Sequence, residues 1–251
     1  MFERLGFGEI EDFPMATFVL SAIMVAVFLF TRSNIVYYED LFGFVPLHPE
    51  IYAFITYTFI HVDFTHIFFN LLFFVIAGIA IEDTLGSWVF LAVYFSSGNI
   101  AVLFDILGRF LSGISFSSPF VGASGAIFGV LAVAAFLKPM EKIPTIFAIL
   151  ALLPLIEWTI SSFPGLGLSQ LTSILVLGFA AMVLIMSLTF IPANVPVFMT
   201  LILFLFSWMV LIVLRLPTTV SNVGHLGGVV GGIASFFIFA KRKKQNVDVV
   251  D

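Results

Sequence analysis

The stretch Val121-Gly122-Ala123-Ser124-Gly125-Ala126-Ile127-Phe128-Gly129 opens an apolar run of about one membrane thickness. A serine among glycines thus stands at the start of an expected transmembrane helix. Its hydroxyl lies slightly below the bilayer surface, where the first N–H groups of the helix have no carbonyl partner and point the same way. A nucleophile and a place to stabilise an oxyanion then share one turn of chain. Gly and Ser also let membrane helices pack closely, so this stretch alone permits a purely structural reading. The rest of the chain has to decide.

The composition around it makes lipid the solvent. Of 251 residues, 61% are hydrophobic and 10% charged, and the mean hydropathy is +1.19. No soluble domain of this length hides so much apolar surface. Alternating polar and apolar strands are absent, which argues against a barrel and for an all-α polytopic bundle. The net charge of −5 resides in loops and tails, and no basic stripe suits nucleic acid. With no cysteine, disulfides and thiolate metal sites are excluded. Glu3, Glu9, Glu11 and Asp12 against Arg4 give the amino end the wrong sign for a secretory signal or a transit peptide.

About eight spans are expected. Met15 to Phe30 is the first, ended by Thr31-Arg32-Ser33-Asn34, and residues 1–14 precede it as a cytoplasmic segment. Ile35 to Asp63 is a long connection, too apolar for a free loop, which is expected to lie partly in the interface. Ile67 to Ile81 is the second span, closed by Glu82-Asp83. Trp88 to Leu107 is the third, with Asp105 and Arg109 spaced i, i+4 for pairing. The Ser124 helix stops at Lys138-Pro139. Ile143 to Ile160, Ser169 to Ile191 and Val195 to Leu214 follow, separated by Pro- and Gly-containing breakers. The last span runs from Asn222 to Ala240, and 241–251 is a basic, polar cytoplasmic tail, expected to be disordered after Lys244. Residues 15–240 thus form one transmembrane domain.

Basic residues set the orientation. Seven of the ten, Arg4, Lys138, Lys142 and Lys241 to Lys244, fall on the side of both termini, which the positive-inside rule makes cytoplasmic. The Ser124 helix and the last helix then both descend from the outer face, because three spans, an odd number, separate them. Ser124 and His225 therefore sit at equal depth, the condition for two catalytic groups on different spans to meet.

His225 belongs to Gly224-His225-Leu226-Gly227-Gly228-Val229-Val230-Gly231-Gly232. Gly224, Gly228 and Gly232 share one helix face, so another backbone can approach closely. A histidine inside a membrane segment is costly, and a functional reading stands beside that of a histidine bonded to a carbonyl in a glycine zipper. His66 and Asn70, i and i+4 at the start of the second span, share a face and could hold an oxyanion beside the Ser124 N–H. A metal site from His61, His66 and His225 lacks any helix-borne ligand pair at a suitable spacing. Neither metal nor cofactor is expected.

In this combination the sequence resembles the rhomboid family of intramembrane serine proteases. The motifs are His61-x4-His66-x3-Asn70, Gly122-x-Ser124-Gly125 and His225-x2-Gly228-x3-Gly232, with weaker matches at Gly78, Glu82, Gly86 and Tyr94. The resemblance runs from about Thr56 to Ala240 apart from two inserted spans, and it implies a six-helix core with two additional helices. It implies a Ser124–His225 dyad without an aspartate and an oxyanion site from the Ser124 N–H, His66 and Asn70. Phe128 matches the aromatic position that packs on the catalytic imidazole, and Gly122, Gly125, Gly228 and Gly232 are supporting positions. Three features depart from the pattern. The Trp-Arg pair of the first long loop reads Tyr52-Ala53, the small residue before the histidine is Gly224, and 101 residues separate Ser124 from His225.

The resulting expectation is an endopeptidase of a prokaryotic cytoplasmic membrane. It would cleave single-span or polytopic membrane proteins near the outer bilayer face. Water would reach the site along the polar Ser112 to Ser118 stretch. Two rivals are a catalytically silent relative that binds membrane helices, and a small transporter. The latter predicts internal repeats or several buried charges, whereas only Asp105 and Glu157, near span ends, come into question.

Overall fold

The computed structural model describes residues 13–144, 151, 194–213 and 221–247. The described residues fall into two compact units, one of 13–134 and 223–247, the other of 135–144, 151, 194–213 and 221–222. The expected spans Ile143 to Ile160 and Ser169 to Ile191 lie largely outside the described residues, as do residues 1–12.

The larger unit begins with α1 (Met15–Thr31), an uncharged apolar helix. Thr31-Arg32-Ser33-Asn34 does not end the helical path. One 3₁₀ turn (Arg32–Asn34) carries it into α2 (Ile35–Phe42). None of these residues is Gly or Pro, and Thr31 returns its hydroxyl to Val27 O at 2.9 Å, so polarity alone does not break the chain here. Gly43 does. The apolar connection then folds inward through α3 (Ala53–Thr56) and a 3₁₀ turn, Tyr57–Phe59. Phe44, Ala53 and Tyr57 from this connection form a small buried core with Val102 and Phe120.

Helix α4 (Phe64–Leu85) starts where Asp63, in extended conformation, accepts a hydrogen bond from His66 N at 2.8 Å. It ends at Gly86, whose φ of 79° only glycine adopts without strain, and α5 (Ser87–Ser112) follows at once. Both helices outrun the apolar stretches that suggested them, because their terminal polar groups find partners inside the fold. Glu82 is buried within α4. Its carboxylate accepts the Ala16 and Thr17 N–H groups and the Thr17 hydroxyl, each at 2.8 Å, and the Ser87 hydroxyl at 2.5 Å. One helix thereby caps the N-terminus of another, where a negative charge is best placed. One turn earlier, Gly78 brings α4 against Thr17, and α1 packs on both α4 and α5.

Helix α6 (Ser124–Leu137) is buried on every face from Gly125 to Ala135, which is why it shows no amphipathic period. Helix α8 (Asn222–Val247) runs past Ala240 and through the basic cluster, so the expected disordered tail is helical as far as Val247. Close contacts fix the helix directions. A Cβ at Gly228 would strike Gly125 O and one at Gly232 would strike Gly129 O, so α6 and α8 run parallel. Gly98 faces Ala126, Ala101 faces Gly125 and Ser97 faces Gly129, so α5 and α6 run antiparallel.

In the second unit, β1 (Lys142–Pro144) pairs antiparallel with β2 (Asn194–Pro196), Ile143 opposite Val195. These residues stand where two spans were expected to begin. The prolines that break a helix tolerate the end of a short ribbon. Helix α7 (Val197–Val213) follows β2 directly. Ser207 donates to Ala151 O at 3.0 Å.

Among the described residues four helical stretches, Met15–Phe42, Phe64–Leu85, Ser87–Ser112 and Asn222–Phe239, are long and apolar enough to cross a membrane, and α6 and α7 are shorter apolar helices. Large apolar side chains face outward, Trp88, Val36 and Phe110 at 74% exposure or more. Lipid covers such a surface, and the chain is an integral membrane protein.

Candidate active site

Ser124 is the first residue of α6 and His225 lies in the first turn of α8. Their parallel helices start side by side, and His225 Nε2 stands 2.8 Å from Ser124 Oγ. The glycine contacts below make that reach possible. With Gly228 over Gly125 O and Gly232 over Gly129 O, the two backbones approach without side chains between them. The imidazole is held from another side by Phe128, ring centroids 4.8 Å apart and tilted by 55°. His225 is 6% exposed.

The turn before Ser124 is built by its neighbours. Gly122 has φ of 105°, and its N–H donates to Tyr57 O at 2.9 Å. Phe120 exchanges two backbone hydrogen bonds with Phe44, at 2.7 and 2.9 Å. The folded connection before α4 therefore anchors the approach to α6. Ala123 accepts from Ile127 N, which leaves the first N–H groups of α6 without carbonyls of their own helix.

His66 and Asn70 reach this turn from α4. A Cβ on Gly122 would fall 2.5 Å from His66 Nε2 and 3.7 Å from Asn70 Nδ2. Glycine is needed here twice, for the left-handed φ and for the space taken by these donors. Asn70 Nδ2 is buried and has no hydrogen-bond partner among the described residues. A donor left open beside the start of a helix suits a charge that exists only during a reaction.

His61 plays a different part. It precedes α4 and is fully buried, with its ring 5.0 Å from that of His66. Nδ1 donates to Phe59 O at 3.1 Å, which makes Nε2 the lone-pair nitrogen. Burial first, and then the neighbouring His66, push its pKa down to about 3, while the Phe59 carbonyl opposes them. The imidazole thus stays neutral and brings no charge to the cluster. Among the described residues no group of three or more His, Asp or Glu side chains could hold a metal ion.

All nine site residues named from the sequence lie in one unit, and Ser124, His225, Phe128, Gly122, His66 and Asn70 converge. Gly125, Gly228 and Gly232 form the helix contact beneath them. Sequence reasoning missed Asp63, Tyr57 and Phe120. Asp63 carried a signal, an N-cap residue directly before an apolar helix. Tyr57 and Phe120 act through backbone groups, which leave no side-chain signature.

The family model for the Rhomboid domain matches residues 48–173. No curated protein and no solved structure matches the chain.

Proposed function

The chain belongs to the rhomboid family, whose model covers half of it, and we propose on that premise that it is an intramembrane serine endopeptidase with Ser124 as nucleophile and His225 as its base. The observation that carries this reading is the 2.8 Å approach of His225 Nε2 to Ser124 Oγ at the open N-terminus of α6.

Neutral His225 takes the hydroxyl proton as Ser124 Oγ attacks the scissile carbonyl. The oxyanion that forms is stabilised by N–H groups at the start of α6, with His66 and Asn70 donating from α4. Collapse releases the amine, which receives the proton from His225, and leaves an ester on Ser124. Water then gives its proton to His225, attacks the ester and frees the second product, while Ser124 recovers its proton.

Depth supports a membrane-helix substrate. Helix α6 has 14 residues, about 21 Å at 1.5 Å per residue, against about 30 Å of hydrocarbon. A short central helix that reaches one interface begins well below the other, so Ser124 lies within reach of a transmembrane segment. The substrate helix must unwind locally, because its amides are otherwise satisfied and shielded. Helix-weakening residues near its outer end are therefore favoured.

Proteoliposomes holding the chain and a panel of single-span proteins provide the test. The wild type cleaves at least one substrate, and Ser124→Ala cleaves none while inserting and melting normally. Undiminished cleavage by the variant removes the nucleophile assignment. Absence of both cleavage and labelling by a fluorophosphonate in the wild type would instead mark a silent helix-binding member.

A further inference from the structure

Asp105 and Arg109 form an ion pair one helical turn apart on α5, with Nε 2.5 Å from Oδ2, and both are buried, at 4% and 8% exposure. The arginine has a second task. Its Nη1 donates to Ser115 O at 2.8 Å and to Ser118 O at 3.0 Å. Its backbone carbonyl closes α5, accepting from Gly113 N and from Ile114 N. One residue therefore ends the helix and holds the loop that leads to Ser124.

That loop is tied along its length. After the two carbonyls on the guanidinium, Phe116 O accepts from Leu47 N at 3.0 Å, Phe120 pairs with Phe44, and Gly122 donates to Tyr57 O. The later ties are backbone bonds to the folded connection before α4, whereas Ser115 and Ser118 depend on Arg109. We infer that Asp105 and Arg109 are positioning residues: the carboxylate orients the guanidinium, whose fork fixes the 113–120 loop and with it the approach of substrate and water to Ser124. This rests on the protease reading above.

Energetics favour this role over simple stability. A buried ion pair is commonly matched or exceeded in stability by well-packed apolar residues, because two charges must be desolvated. Helices α5 and α6 already meet through Gly98, Ala101, Gly125 and Gly129 and do not need the pair for contact. What apolar residues cannot supply is a planar donor with one arm on the carboxylate and another on two carbonyls.

Two variants of the full chain in proteoliposomes test the inference: Arg109→Lys, which keeps the charge but not the fork, and Asp105→Leu with Arg109→Met, which keeps an apolar fit. The chain has no cysteine, so Ser117→Cys provides a single exposed spin-label site that reports loop mobility without reference to activity. The expected result in both variants is a more mobile label, a melting temperature near that of the parent, and kcat lowered about 10- to 100-fold with KM within a few-fold. Unchanged label mobility overturns the inference. So does a mobile label with unchanged kcat, and so does full activity in the apolar double variant. If the parent neither cleaves nor reacts with a fluorophosphonate, the protease reading fails by itself, and label mobility still decides whether Arg109 orders the loop.

Discussion

Asn70 shows how a single side chain can carry information that its own segment does not. Its amide is 6% exposed, inside an apolar helix, with Nδ2 unpaired among the described residues beside Gly122. An unmade hydrogen bond of this kind costs about 1–3 kcal/mol in the resting protein. That cost has a purpose if the missing acceptor is a transient oxyanion. Asn70→Ala is then expected to lower kcat by about 100-fold, short of abolition, with KM little changed, because the donor acts mainly in the transition state. Steady-state kinetics on a cleaved substrate check this, and full retention of kcat removes Asn70 from the oxyanion site. Ser124 and His225 were legible at this scale, since a serine opening an apolar helix and a histidine within one both demand an account. The Tyr57 carbonyl was not, because every residue has one.

At the scale of the element, the glycines of α6 and α8 decide how closely the two helices meet. The i, i+4 spacing of Gly224, Gly228 and Gly232 is readable along the chain, and Gly228 and Gly232 of that face lie against α6, while Gly227 and Gly231 meet α5. A side chain at position 228 collides with the Gly125 carbonyl, which is backbone and cannot turn aside. Gly228→Val should therefore cost about 1–3 kcal/mol or more of overpacking. It should lower the melting temperature and the activity together by widening the Ser124–His225 gap. A melting curve identical to the parent's counts against the contact. Helix ends were less legible. Glu82 and Arg109 look like span boundaries, yet both lie inside helices because carboxylate and guanidinium find partners on α1, on α5 and in the following loop.

Across the whole molecule, direction matters more than count. Parallel contact between α6 and α8 agrees with an odd number of crossings between them, the condition deduced from chain order. The count of three includes two segments beyond the described residues. From the basic residues clustered at Lys138, Lys142 and Lys241 to Lys244 we propose that both termini lie in the cytoplasm. A C-terminal green fluorescent protein fusion is accordingly expected to fluoresce, and a C-terminal alkaline phosphatase fusion to be inactive, when the chain is expressed in a bacterial inner membrane. The reverse pattern would invert the topology and place Ser124 toward the cytoplasm.

By itself the amino-acid sequence determined the solvent, the helical class, and which polar residues stand inside apolar segments, because hydropathy and local spacing are properties of neighbouring residues. It also determined the glycine face of α8, since a four-residue period is local. Only the tertiary structure decided that α1 runs on into α2, that the apolar connection before α4 folds into a core beneath the Ser124 turn, and that Arg109 holds the loop ahead of it. The first turns on local helical bonds that polar residues do not break, and the other two on backbone carbonyls and N–H groups that find partners outside their own segment, which leave no side-chain signature.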